Sequence, residues 1–174
     1  MFTRSLLAGV VLLCATADAR AESPNLGRPV AADELAAWDI SIGPDGTGLP
    51  TGGGTPAQGE AVYVAACQNC HGEKGAGKPN DPLVGGRGTL SGEGMPIKTV
   101  GSFWPYATTL FDYVRRAMPL NAPKSLTDDQ VYAVSAYILL MNGIIGENEE
   151  MNAKTLPAVL MPNREGFVTF TRGR

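Results

Sequence analysis

The chain has 174 residues, with 14 lysines and arginines against 17 aspartates and glutamates, so its formal net charge is −3 at pH 7. A mildly acidic net charge argues against nucleic acid as a partner, because the phosphate backbone selects for basic proteins. The three cysteines and the single histidine, His71, are too few for the common structural zinc sites with four cysteines or with two cysteines and two histidines.

Residues 1–21 predict a secretory signal peptide. Arg4 precedes an apolar run, and small residues lead to an A-x-A cleavage pattern that ends at Ala21. The apolar run is too short to span a membrane, so we expect export to the periplasm. Cleavage would lower the number of basic residues from 14 to 12 and of acidic residues from 17 to 16, so the mature chain would have a net charge of about −4. Cys14 leaves with the peptide, and the bulky Leu13 before it argues against lipidation.

Residues 22–57 read as an N-terminal arm rich in glycine, proline, alanine and aspartate. Residues 32–38 predict a short helix, and residues 43–54 carry turn chemistry. A flexible linker is one reading of this arm. Trp38 and Ile40 favour the other, in which part of the arm packs.

A helix is predicted over residues 56–69 and ends at Gly72, a residue that tolerates positive φ. Cys67-Gln68-Asn69-Cys70-His71 at its end reads C-x-x-C-H, the attachment signature of c-type haem. The two thiols, one helical turn apart, can bond to the same porphyrin, and His71 can bind its iron. We therefore predict one covalently bound haem c. A redox dithiol is the alternative, but the βαβ pattern that it requires is missing.

Residues 72–98 predict a long loop rich in glycine and proline, as expected if it wraps the edge of a flat cofactor. Helices are predicted over residues 106–117 and from about residue 126 to Met141, the second capped by Thr127 or Ser125. Residues 143–174 predict a polar C-terminal arm with scattered apolar anchors. It either lies across the domain or a partner, or is a disordered extension.

The second axial ligand cannot be a histidine, because His71 is already used, which leaves methionine, a lysine amine or an irregular donor. Met118 and Met95 are the main candidates, since each stands on a loop next to a proline, and an open or unusual site is the alternative. We expect Met118, because its loop follows one helix and precedes the last one. With histidine and methionine on the iron, no position is left for a substrate.

Further residues are expected around the haem. We expect His71 to donate its second ring N–H to the carbonyl of Pro82. Trp104, Tyr106 and Arg87 are candidate partners of the haem propionates. The alternative for the two aromatic residues is ordinary core packing.

These motifs resemble the class I cytochrome c family over residues 59–141. The resemblance implies an all-α fold in which a few helices and Gly/Pro-rich loops enclose the haem. It also implies that the first and last helices cross near Gly59, Tyr63 and Tyr137. We therefore expect a haem domain over residues 58–142, with N- and C-terminal arms on either side.

Sequence outside the haem motifs resembles SoxD, the family of cytochrome subunits in bacterial Sox sulfur dehydrogenases. The resemblance lies in residues 36–40, 44–50, 101–107, 111–119, 125–129 and 161–167. It implies a molybdenum-cofactor dehydrogenase subunit as the partner, with a downstream cytochrome or oxidase as the electron acceptor. Described members often carry a second haem domain, whereas this chain has one C-x-x-C-H, so the sulfur substrate stays open.

The resulting prediction is a periplasmic monohaem cytochrome c that takes electrons from a sulfite or sulfur dehydrogenase and passes them to the respiratory chain. By itself it would be an electron-transfer subunit without catalytic residues. The alternatives are a freely diffusing monohaem carrier and, less favoured, a haem enzyme that acts at its own iron.

Overall fold

The computed structural model describes residues 26–168. The predicted signal peptide and Cys14 lie outside these residues. The chain divides into two compact units, with the boundary between Trp38 and Asp39. In the first, helix α1 spans Ala32–Trp38, as predicted, and Glu34 accepts hydrogen bonds from Arg28 and from the N–H of Ala31 at 3.1 Å.

The second unit is built from four further helices. They are α2 (Pro56–Ala66), α3 (Gln68–His71), α4 (Ala107–Ala117) and α5 (Asp128–Met141). Short 3-10 turns cover Glu73–Gly75, Thr89–Ser91 and Leu156–Ala158. Strands β1 (Gly53–Gly54) and β2 (Met151–Asn152) pair antiparallel. With only two residues in each strand, the architecture is the all-α one that the sequence predicts.

Capping boxes define where the two main helices begin. Thr55 precedes α2, where its hydroxyl accepts from the N–H of Gln58 and the Gln58 side chain accepts from the N–H of Thr55. Thr127 and Gln130 repeat the arrangement before α5. Each box satisfies two N–H groups that the first turn of a helix otherwise leaves unpaired.

The predicted single helix over residues 56–69 is wrong in one respect, because it breaks at Cys67. Its φ of −123° and ψ of −38° are not helical. The N–H of Cys67 still donates to the carbonyl of Tyr63, and this is the last hydrogen bond of α2. The carbonyl of Cys67 accepts from the N–H groups of Cys70 and His71, and these bonds start α3. The signature pentapeptide therefore forms a separate turn.

Helices α2 and α5 cross at Gly59, and this crossing is the centre of the core. A Cβ at Gly59 would stand 1.9 Å from the carbonyl oxygen of Ala133, so only glycine permits the observed approach. Tyr63 and Tyr137 meet beside it with ring centroids 5.5 Å apart. The crossing near these residues is as the sequence resemblance implies.

Segments that precede and follow residues 58–142 also pack on this core. Tyr132 of α5 is fully buried and donates its hydroxyl to the carbonyl of Pro50 at 2.8 Å. Towards the C-terminus, Met151, Leu156 and Met161 are buried in the same hydrophobic cluster. Residues 151–161 therefore lie across the second unit. Over residues 26–168 no helix has both the length and the apolar character needed to cross a membrane.

Candidate functional site

A cavity of about 830 Å³ opens between α3, α4, α5 and the loops that join them. It brings together the four predicted ligand residues, Cys67, Cys70, His71 and Met118. The rest of its wall is largely apolar and includes Leu83, Val100, Leu110, Val114, Val134 and Ile138. A concave apolar site with a few converging polar groups is the usual form of a cofactor pocket.

The two thiols differ in their surroundings. Cys67 is partly buried, and burial, followed by the proximity of Cys70, raises the pKa of its thiol to about 11. Cys70 is exposed, one turn later on α3. Because the N–H groups of Cys70 and His71 both donate to the carbonyl of Cys67, at 3.1 and 3.0 Å, the turn holds the two thiols on the same cavity.

The ring of His71 is oriented by a backbone carbonyl, although not by the one predicted. Its Nδ1 lies 3.0 Å from the carbonyl oxygen of Asp81, not of Pro82. The peptide that joins Asp81 to Pro82 has no N–H, since its nitrogen is the proline nitrogen, so it offers a carbonyl and no competing donor. The prediction was therefore wrong by one residue, and Pro82 itself lines the cavity.

The loop after α3 folds back on the signature turn. The N–H of Gly77 donates to the carbonyl of His71 at 2.7 Å, and that of Asn80 to the carbonyl of Cys70 at 2.9 Å. Gly72 turns the chain with φ of 75°, and a Cβ there would meet the carbonyl oxygen of Gly77 at 2.4 Å. The glycine predicted to end the helix is thus required by two independent constraints.

The structure separates the two methionine candidates. Met118 follows α4 directly, is partly buried and lines the cavity, and its N–H donates to the carbonyl of Val114 at 3.1 Å. Met95 is 90% exposed and does not line the cavity. Of the two, only Met118 therefore lines the same cavity as His71.

Of the three predicted haem neighbours, only Trp104 lines the cavity, with its ring edge-on to Tyr113 at 5.6 Å. Arg87 is directed elsewhere, since its guanidinium donates to the carbonyl of Asn142 at the end of α5, at 2.9 Å. Tyr106 lies under the guanidinium of Arg164, 4.5 Å from its ring centroid. Arg87 and Tyr106 do not line the cavity and have other partners, and their predicted contact with the propionates stays a prediction.

Sequence reasoning missed several residues of the site. Lys98 is the one lysine or arginine among the described residues that line the cavity, and Tyr113 and Asp81 line it too. Tyr113 could have been found from its position on α4, one turn before Ala117. Lys98 stands in a loop without periodicity, so the sequence gave no signal for it.

Comparisons with known proteins show the family of the chain. A family model described as "Cytochrome C oxidase, cbb3-type, subunit III" matches residues 54–138. A chain of the sulfane dehydrogenase SoxCD from Paracoccus pantotrophus is 38% identical and superimposes with a TM-score of 0.79, over 84% of this chain and 72% of that one. The chain belongs to the c-type cytochromes.

A second relative covers less. The thiosulfate dehydrogenase of Allochromatium vinosum is 32% identical over 88 residues, which is 47% of this cytochrome and 29% of that protein. The cytochrome therefore corresponds to less than a third of the length of this relative.

The donor set of the cavity fits haem c. Two thiols one turn apart, an imidazole directly after the second thiol, and a thioether in the same cavity are the groups that this cofactor requires. The apolar walls suit the faces of a porphyrin, and Lys98 can pair with a carboxylate at its edge. Each residue that the fit requires is thus present in one cavity.

Proposed function

We propose that this cytochrome carries one haem c, covalently bound through Cys67 and Cys70, with His71 and Met118 as axial ligands. The single observation that carries the proposal is that all four side chains line one cavity. Bound there, the haem would supply one-electron oxidation and reduction. Cys67 and Cys70 would fix its position, and Met118 would occupy the axial position that a substrate otherwise needs.

The chain's other residues would then control the environment of the site. The carbonyl of Asp81, 3.0 Å from Nδ1 of His71, would fix the tautomer and the ring plane of the imidazole, which leaves Nε2 as the ligating nitrogen. Val114, Val134 and Ile138 would exclude water from the cavity. A dry site with both axial positions filled suits electron transfer better than bond-making chemistry.

We further propose that the protein is the periplasmic electron-transfer subunit of a molybdenum-dependent sulfite or sulfur dehydrogenase. It would pass electrons to a downstream cytochrome or oxidase of the respiratory chain. The 38% identity to a chain of a sulfane dehydrogenase supports this partner, and the secretory pattern of residues 1–21 supports the location. In this proposal residues 58–142 form the haem domain, and the parts of the two arms that do not pack on it contact the partner.

The N-terminal unit offers a surface for such a partner. Its described residues expose four apolar side chains, Leu26, Val30, Leu35 and Trp38, of which Trp38 is 83% accessible. Apolar groups gathered on a short segment indicate a protein contact. A catalytic subunit that covers them would keep the cytochrome in a stable complex, whereas a free carrier needs only the haem domain.

Expression of the full chain in a bacterium with haem-ligation machinery tests the haem assignment. We expect a red protein whose haem stays attached after acid–acetone extraction, and a reduced spectrum of the c-type. Colourless protein would refute the proposal. Size exclusion of the native protein tests the partner, because co-elution with a molybdenum-containing subunit is expected and a lone monomer would favour the free carrier.

The match to thiosulfate dehydrogenase favours a second candidate, a haem enzyme that oxidises a sulfur compound at its own iron. That reaction requires an axial position that is open or easily opened. Carbon monoxide binding to the ferrous protein at neutral pH would support it. An intact far-red absorption band of the methionine-ligated ferric form would favour electron transfer instead.

A further inference from the structure

The C-terminal segment, residues 161–167, is attached to one wall of the cavity. We call residues 97–106 the wall loop, because Lys98, Thr99, Val100 and Trp104 line the cavity. We propose that the C-terminal segment positions this wall, and that Asn163 is the positioning residue that fixes Trp104. The inference rests on the proposed haem site, since the wall faces that cavity.

The first half of the wall loop is held by its own hydroxyl groups. Thr99 donates from Oγ1 to the carbonyl of Gly85 at 2.6 Å, and Ser102 donates from Oγ to the carbonyl of Ile97 at 2.6 Å. Thr99 and Ser102 are both buried. This half therefore needs no support from a distant part of the chain.

The second half of the wall loop is held by the C-terminal segment. Asn163 donates from Nδ2 to the carbonyl of Phe103 at 2.7 Å. The ring of Phe167 meets the ring of Phe103 edge-on at 5.2 Å, and the guanidinium of Arg164 lies over Tyr106. Three contacts of different kinds thus join residues 163–167 to residues 103–106.

The segment can act as a support because its own start is fixed. Met161 is buried with 3% of its surface exposed and belongs to the hydrophobic core. The N–H of Arg164 donates to the carbonyl of Met161 at 3.1 Å, and the N–H of Gly166 to the carbonyl of Asn163 at 3.1 Å. These turns bring the amide of Asn163 to the wall loop from an anchored residue.

Phe103 is linked to two residues that line the cavity, Trp104 and Lys98. The carbonyl that Asn163 binds belongs to the peptide leading into Trp104, which packs on Tyr113 inside the cavity. On the other side, the Lys98 ammonium lies 5.0 Å from the ring centroid of Phe103. A displaced Phe103 would therefore move one aromatic and one cationic residue of the cavity and admit water between them.

Water in the cavity favours the more highly charged, oxidised iron, so a loosened wall should lower the midpoint potential. Asn163→Ala removes the donor to Phe103. Gly166→Ala is a second variant, which keeps the Asn163 side chain but displaces it. A Cβ at Gly166 would stand 1.8 Å from Oδ1 of Asn163 and would push that amide away from Phe103. Leu160→Ala is the matched control, since Leu160 is 83% exposed in the same stretch.

The test uses the haem-loaded full chain, with midpoint potential and hydrogen–deuterium exchange as readouts. We expect Asn163→Ala and Gly166→Ala to lower the potential and to speed exchange within residues 103–106, with Leu160→Ala like the wild type. If the variants retain haem and their midpoint potentials are unchanged, this inference is overturned and the proposed function is not. That holds even if exchange increases, because the segment would then stabilise the loop without affecting the haem. A wild type that takes up no haem would overturn the proposed function and this inference together.

Discussion

The crossing of α2 and α5 gives the most direct test of the fold, through Gly59→Ala. A Cβ at Gly59 would stand 1.9 Å from the carbonyl oxygen of Ala133, about 1.5 Å closer than the 3.4 Å at which ordinary contact begins. A methyl group has no rotamer that avoids backbone atoms, so the helices would have to separate. Overpacking of this kind costs about 1–3 kcal/mol, occasionally more.

The same substitution also has a favourable part, since alanine is better than glycine within a helix by about 0.8–1 kcal/mol. We place the cost of the clash at the upper end of its range, because the neighbour is a backbone carbonyl. A net loss of ~2 kcal/mol corresponds to a lower Tm by about 4–8 °C for a chain of this size.

Thermal unfolding of the haem-loaded protein, followed by far-ultraviolet circular dichroism, measures the effect. Gly94→Ala is the matched control, because a Cβ at Gly94 meets nothing within 4 Å and its φ is not positive. The control should melt within about 1–2 °C of the wild type, as surface substitutions away from special features usually do. Equal melting temperatures for the Gly59 variant and the wild type would refute the close crossing.

Met118→Ala should keep the haem attached but lose the far-red band and lower the midpoint potential, whereas Met95→Ala should change neither spectrum nor potential; the reverse result would show that the wrong methionine was chosen. Cys67→Ala should reduce haem incorporation, measured as absorbance per protein, and Cys14→Ala serves as its control. Burial, with a smaller contribution from Asp128, raises the pKa of Tyr132 to about 12. The unfolded chain ionises this group first, at about pH 10, so its contribution to stability is complete below pH 10 and is lost as the pH rises towards 12. Denaturant unfolding across this range should show a smaller pH slope for Tyr132→Phe than for the wild type, and equal slopes would contradict the assignment.

The parts of the site that sequence could predict depend on local chemistry. C-x-x-C-H predicts which two thiols and which imidazole share a site, because all three lie within five residues, although the break in the helix at Cys67 was not predicted. The bounds of α1 were predicted to the residue, and the start of α5 followed from the capping pattern of Thr127. Met118 was singled out by its place between two predicted helices, and the structure places it in the cavity.

The parts that sequence could not predict depend on contacts between distant residues. Arg87 was expected at the haem edge, but the end of α5, 55 residues away in sequence, offers it a free carbonyl at Asn142. Lys98 reaches the cavity through the fold of its loop. The partner of His71 was missed by one residue, since a sequence shows which peptide lacks an N–H but not which carbonyl faces the ring.

The cavity and the hydrophobic core share side chains, and this links cofactor binding to stability. Leu110, Val114, Val134 and Ile138 line the cavity and also belong to the core cluster. Both cysteines of the described residues line the cavity, and the proposed haem bonds use these same thiols. No disulfide between them would then be available to stabilise the domain. A haem held at Cys67 and Cys70 would bury these shared side chains from the second side and tie the turn of α3 to α4 and α5. The four bonds proposed for Cys67, Cys70, His71 and Met118 would therefore also complete the core, so loss of any one of them should appear in the melting temperature as well as in the spectrum.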